Sequence, residues 1–129
     1  MTAILLIDDD PDMAELLGHM VDILGYSHRF VRTGPEALAA IAEQQPDAIV
    51  LDVMLEDTDG WALFEQLRPA TNAPIIFITA WRTGENRRRA ESLRADGFLA
   101  KPISHQDFAD QLNAVLGRPA RRLSPAQPA

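Results

Sequence analysis

The 129-residue chain has no cysteine, a single lysine and a single tyrosine, and none of its apolar stretches approaches the roughly 20 residues needed to span a bilayer. Without cysteine there is neither a disulfide framework nor a thiol nucleophile. Thr2 leads straight into an apolar stretch and then Asp8, with no basic start and no small-residue cleavage site, so no secretion signal is expected. No segment repeats. These absences together suit a cytoplasmic protein with no membrane partner. Positive charge is also scarce, at 12 bases against 19 acids and a net charge of -7. Arg118, Arg121 and Arg122 fall in an acid-free stretch from residue 118 to 129, which leaves nine bases against 19 acids, or -10, over residues 1–117. A body this acidic repels phosphodiester backbones, so direct nucleic-acid binding is not expected.

What the chain does have is a 47% hydrophobic composition, ample for one core at this length. Four short apolar runs each end on a reactive residue: Ile4 to Ile7 on Asp8 and Asp9, Ala48 to Leu51 on Asp52, Ile75 to Ile78 on Thr79, and Gly97 to Ala100 on Lys101. Ser27 to Val31 reads as a second, weaker strand, which makes the run up to Lys101 the fifth. Helical spacing lies between them. Pro11 opens a helix carrying Leu17, Val21 and Leu24 up to Gly25, and Thr33 with Glu36 resembles a capping box for a helix holding Leu38 and Ile41. Trp61, Leu63, Phe64 and Leu67 mark a third helix. A fourth, between Thr83 and Arg94, has only Ala90 and Leu93 as anchors and should pack weakly. Ser104 and Asp107 cap a fifth, with Phe108, Leu112, Val115 and Leu116. Residues 118–129 read as a disordered tail or linker after a domain spanning 1–117.

Five strand and helix pairs in alternation predict an α/β fold, a doubly wound parallel sheet with helices on both faces. A flavodoxin-like order 2-1-3-4-5 would bring the first and third strands together at the switch point, and with them Asp8, Asp9 and Asp52. Clustered carboxylates repel and need a cation, and hard oxygen donors select Mg²⁺ or Mn²⁺. Lys101 is the only lysine among 12 bases, a compact ammonium suited to a phosphate contact. Metal, ammonium and the Thr79 hydroxyl facing Asp52 amount to equipment for phosphoryl transfer to a carboxylate, with Asp52 as acceptor.

Ile4-Leu5-Leu6-Ile7-Asp8-Asp9-Asp10, Asp47 to Asp52, Asp59-Gly60, Ile78-Thr79-Ala80 and Ala95 to Pro102 together resemble the response-regulator receiver domain over about residues 3–117. That resemblance implies phosphorylation on Asp52, with Mg²⁺ held by Asp8, Asp9, Asp52 and the Met54 backbone carbonyl, and Lys101 contacting the phosphoryl group. It implies that Thr79 and Phe98 switch together. The donor would be a sensor histidine kinase or histidine phosphotransfer protein of a bacterial two-component system. A downstream protein target would bind through the fourth helix, fifth strand and fifth helix, with the chain a monomer or a phosphorylation-dependent dimer. Met54 and Trp81 occupy the positions that tune attack by water in the family, and both are bulky and apolar, so slow autodephosphorylation is expected. Glu56 stands where proline is common, and Arg94 where glycine usually ends the fourth helix.

The chain is not expected to turn over a substrate. The alternative is a haloacid-dehalogenase-like aspartyl phosphatase using Asp8 and Asp10, which would leave Asp52 without a role. Asp10, Asp12, Asp57 and Asp96 are read as caps or turn residues, and Arg87 to Arg89 as a solvated helix face.

Overall fold

Continuous apolar runs, too short for helices and buried on both sides, form the middle three strands of the sheet at the centre of the computed structural model, which describes residues 2–55, 57–80 and 84–117. The elements are β1 (Ala3–Ile7), α1 (Pro11–Ile23), β2 (Ser27–Val31), α2 (Gly34–Glu43), β3 (Ala48–Asp52), α3 (Gly60–Leu67), β4 (Ile75–Thr79), α4 (Gly84–Ser92), β5 (Gly97–Ala100) and α5 (His105–Leu116). All neighbouring strands pair in parallel, in the order β2-β1-β3-β4-β5. This is the expected flavodoxin-like, doubly wound arrangement.

Alternation along the strands divides the core in two. Leu5, Ile7, Ile49, Leu51, Ile75 and Phe77 face α2, α3 and α4, meeting Ile41, Trp61, Leu63, Phe64 and Leu67. Ile4, Leu6, Val50, Ile76 and Ile78 face α1 and α5, meeting Leu17, Val21, Phe108 and Leu112. Each such side chain removed from water contributes about 1.5–3 kcal/mol. Both faces of β1, β3 and β4 are covered, which fixes their register and hence the level at which each strand ends.

Local signals set the helix starts. Asp10, Thr33, Asp59 and Ser104 accept from the backbone N–H groups of Asp12, Glu36, Ala62 and Asp107. The reciprocal half of the expected capping box differs, because the Glu36 carboxylate accepts from Arg32 N at 2.9 Å. Arg94 has φ 62, so the turn after α4 is left-handed without glycine, and Ala95 N donates to Ala90 O at 3.0 Å to close it.

The helix α4 is held differently from the reading of residues 87–89 as a purely solvated face. Ala90 is its one buried residue, but Arg87 lies over the Phe98 ring at 5.7 Å and Arg89 over the Trp61 ring at 5.1 Å. These guanidiniums remain exposed yet act as apolar-surface anchors through cation–π contact.

Gly60 opens α3 hard against the end of β3. A Cβ there would lie 2.5 Å from the Asp52 carbonyl oxygen and 2.7 Å from Val53 Cα, and both are backbone atoms. Gly60→Ala is therefore expected to cost on the order of 2–4 kcal/mol, read as a lower urea midpoint at unchanged slope. A midpoint equal to wild type would show that the contact relaxes freely.

Candidate functional site

The carboxyl ends of the strands converge, as they must in an open parallel sheet with this order. Asp8 follows β1 and is 1% exposed, Asp52 ends β3 at 3%, and Asp9 beside Asp8 is half-buried. One carboxylate oxygen from each of the three lies within 4.8 Å of the others. Lys101 follows β5 and reaches across, its Nζ 3.2 Å from Asp52 Oδ2 and 3.6 Å from Asp8 Oδ2. The Lys101–Pro102 peptide is cis.

Backbone donors fix the two buried carboxylates. Asp8 Oδ1 accepts from Asp10 N at 2.9 Å, and Asp52 Oδ1 accepts from Met54 N at 3.0 Å. Asp8 Oδ2 accepts no hydrogen bond despite complete burial. Burial pushes the Asp8 carboxyl from the ordinary 3.8 up to about 7, and the charge of Asp52 adds to the rise. The Asp10 N–H and the Lys101 ammonium oppose it. An orphaned buried oxygen within a group of three hard donors fits a divalent cation that keeps water and phosphate oxygens as its other ligands.

Thr79, fully buried, ends β4 one position beyond the Asp52–Ile78 register pair, and its carbonyl accepts from Lys101 N at 2.7 Å. Phe98 lies on β5, half-buried beneath Arg87. Met54 is 47% exposed and bridges to Asp59 across the loop that follows β3. Trp81 and Glu56 lie outside the described residues, as does the stretch 118–129. Asp10 is exposed and stays out of the carboxylate group, its side chain capping α1. Asp96 accepts from Ile75 N at 2.9 Å, a structural tie at the opposite end of β4.

One residue at the site went unread in the sequence. Arg32, just after β2, donates from Nη2 to the Asp9 carbonyl at 3.3 Å. No periodicity marks it, because the contact exists only once β2 lies beside β1.

A parallel five-stranded sheet with paired carboxylates, a hydroxyl and an ammonium at its strand ends is the architecture of a receiver domain. The chain matches the response regulator receiver domain over residues 4–113, and it belongs to that family, a component of two-component systems. It is 35% identical over 127 residues to the response regulator MprA of Mycobacterium sp. (strain KMS), covering 98% of this chain and 55% of that one. It is 32% identical over 115 residues to the probable transcriptional regulator ycf27 of Porphyridium aerugineum, covering 89% and 48%. A two-component response regulator from Clostridium difficile superimposes with a TM-score of 0.86 at 30% identity, covering 92% of this chain and 98% of that one.

The chain thus spans about half the length of these two relatives. That corrects the expectation that nucleic acid is no partner. One of the relatives bears the name of a probable transcriptional regulator, and the charge argument weighed only the surface of the matched acidic half. Repulsion between this surface and phosphates does not bound what is reached through the remainder of a longer protein.

Proposed function

We propose that this receiver takes a phosphoryl group on Asp52 from a phosphohistidine of a sensor kinase or phosphotransfer protein and uses the modification to reshape the surface formed by α4, β5 and α5. The observation that carries the reading is the pairing of one half-buried ammonium, Lys101, with two buried carboxylates of which Asp8 retains an oxygen without a hydrogen bond. Asp8, Asp9, Asp52 and the Met54 carbonyl would hold Mg²⁺ or Mn²⁺. The ion would supply charge neutralisation at the phosphoryl oxygens.

The chain's own groups do the remaining work. An Asp52 carboxylate oxygen attacks phosphorus, the bond from phosphorus to the donor's leaving atom breaks, and the electron pair departs with the donor. Met54 N–H holds the other end of the carboxylate, and Lys101 Nζ stands 3.2 Å from Asp52 to meet the incoming charge. Thr79 and Phe98 respond together. The helix α4 rests on one buried alanine and two cation–π contacts, so a small free-energy change shifts it between two positions. The setting for this chemistry is the cytoplasm. No described helix is long and apolar enough to cross a membrane.

Intact mass of the chain incubated with Mg²⁺ and acetyl phosphate tests the proposal, and uptake is expected to stop at one phosphoryl group per chain. Continuous release of phosphate from a phosphomonoester would replace the switch with a phosphatase. The exposed Met54 side chain at the mouth offers no hydrogen bond to orient water, and Trp81 is the other apolar residue of that pair. The phosphorylated half-life should accordingly exceed that of a Met54→Asn, Trp81→Glu variant; a variant lasting as long or longer would remove this role.

A further inference from the structure

The loop between β3 and α3 carries the Met54 carbonyl, yet no strand or helix contains it. One tie to a distant element comes from Asp57, whose exposed carboxylate Oδ2 accepts from Gly34 N at 3.1 Å. Gly34 is the first residue of α2, so its N–H is one of the donors that the helix itself cannot satisfy. Gly34 is buried under α3 and the loop together, a Cβ there falling 3.3 Å from Leu63 Cδ1, 3.6 Å from Asp57 Oδ2 and 3.9 Å from Thr58 Cγ2.

Arg32, two residues before Gly34, holds the Asp9 carbonyl at 3.3 Å. Its own N–H is fixed by Glu36 at 2.9 Å. The turn from 32 to 34 therefore grips both halves of the candidate centre, the segment after β1 through Arg32 and the acceptor loop through Asp57. Strand order explains the geometry: β2 neighbours β1 in the sheet, while α2 packs on the same face as α3.

We propose that Asp57 is a positioning residue, whose hydrogen bond to the first turn of α2 holds the acceptor loop in the shape that binds a divalent cation. The proposal rests on the reading of Asp8, Asp9, Asp52 and the Met54 carbonyl as the ligand set. An acceptor on a helix's first N–H satisfies a donor that the helix leaves open, and outer groups that orient ligands govern metal affinity.

Titrating the full chain with Mn²⁺ alone, following free ion by electron paramagnetic resonance, separates attachment from charge through three substitutions. Asp57→Ala loses both the bond and the charge. Asp57→Asn keeps an oxygen acceptor at the same reach and loses the charge, whereas Asp57→Glu keeps the charge and displaces it by a methylene. Affinity should fall on the order of fivefold in Asp57→Ala and Asp57→Glu and stay within about twofold of wild type in Asp57→Asn. Equal weakening in Asp57→Ala and Asp57→Asn would assign the effect to charge and overturn the proposal, as would three variants that all bind like wild type. No Mn²⁺ uptake by wild type would overturn the ligand set itself, and the positioning role with it. Because Asp57 is exposed, none of the three disturbs the core, and circular dichroism in the absence of metal should match throughout.

Discussion

Replacing Asp52 with alanine is expected to take phosphoryl uptake from one group per chain to none. Three carboxylates crowd the site, and the other two are not expected to substitute. Asp8 is the most buried, and its charge would be engaged by the cation it is proposed to hold. Asp9 is half-buried, and no cation within ion-pairing distance of its carboxylate is found among the described residues. Asp52 combines a backbone donor on one oxygen with a hydrogen bond from the ammonium at 3.2 Å on the other, whereas at Asp8 the ammonium stands 3.6 Å away and donates none. Intact mass with Mg²⁺ and acetyl phosphate decides it. Equal labelling of wild type and Asp52→Ala would move the acceptor elsewhere.

The second large effect is a gain and a loss in one variant. Asp8→Asn keeps the shape of the side chain and removes the charge that burial penalises. With the native Asp8 carboxyl near 7 and the unfolded one at its ordinary 3.8, the native state holds the proton more tightly in between. Stability of the metal-free chain therefore declines as pH rises from about 4 to about 7, while below that window both states are protonated and the penalty vanishes. Asp8→Asn should be more stable than wild type at pH 8 by on the order of 1–3 kcal/mol, with the gap closing towards pH 4. Its Mn²⁺ affinity should fall by on the order of 100-fold. Urea unfolding at the two pH values, together with a metal titration, reads both effects. A variant less stable than wild type at pH 8 would mean that Asp8 is satisfied as a charge in the fold.

Much of this architecture could be read from the chain because the informative signals were local or periodic. The runs ending at Asp8, Asp52 and Thr79 are continuous and apolar, and parallel strands buried on both faces require such runs. The caps at Thr33 and Ser104 sit within three residues of the N–H groups they accept from. Contacts that depend on packing were not legible. Arg87 and Arg89 looked like solvated charge because the rings beneath them come from β5 and α3. Asp57 looked like a turn residue because its partner lies 23 positions earlier in the chain. The geometry of the Asp59-Gly60 step was hidden as well, since only the fold shows that the β3 backbone occupies the space a side chain would take. Net charge misled about nucleic acid for a different reason: it is a property of one surface and says nothing of partners met through another.

The fold places the chain's one lysine with its Nζ between two buried carboxylates, where its side chain keeps 17% of its surface. Isotopic enrichment at lysine would therefore give a spectrum with a single side-chain ammonium resonance, already assigned without mutagenesis. Its chemical shift would record each change at the acceptor directly, and its line shape would time the interchange between states. Amine-selective reagents would likewise find one internal target, so the rate of acylation at that position becomes a measure of how open the site stands.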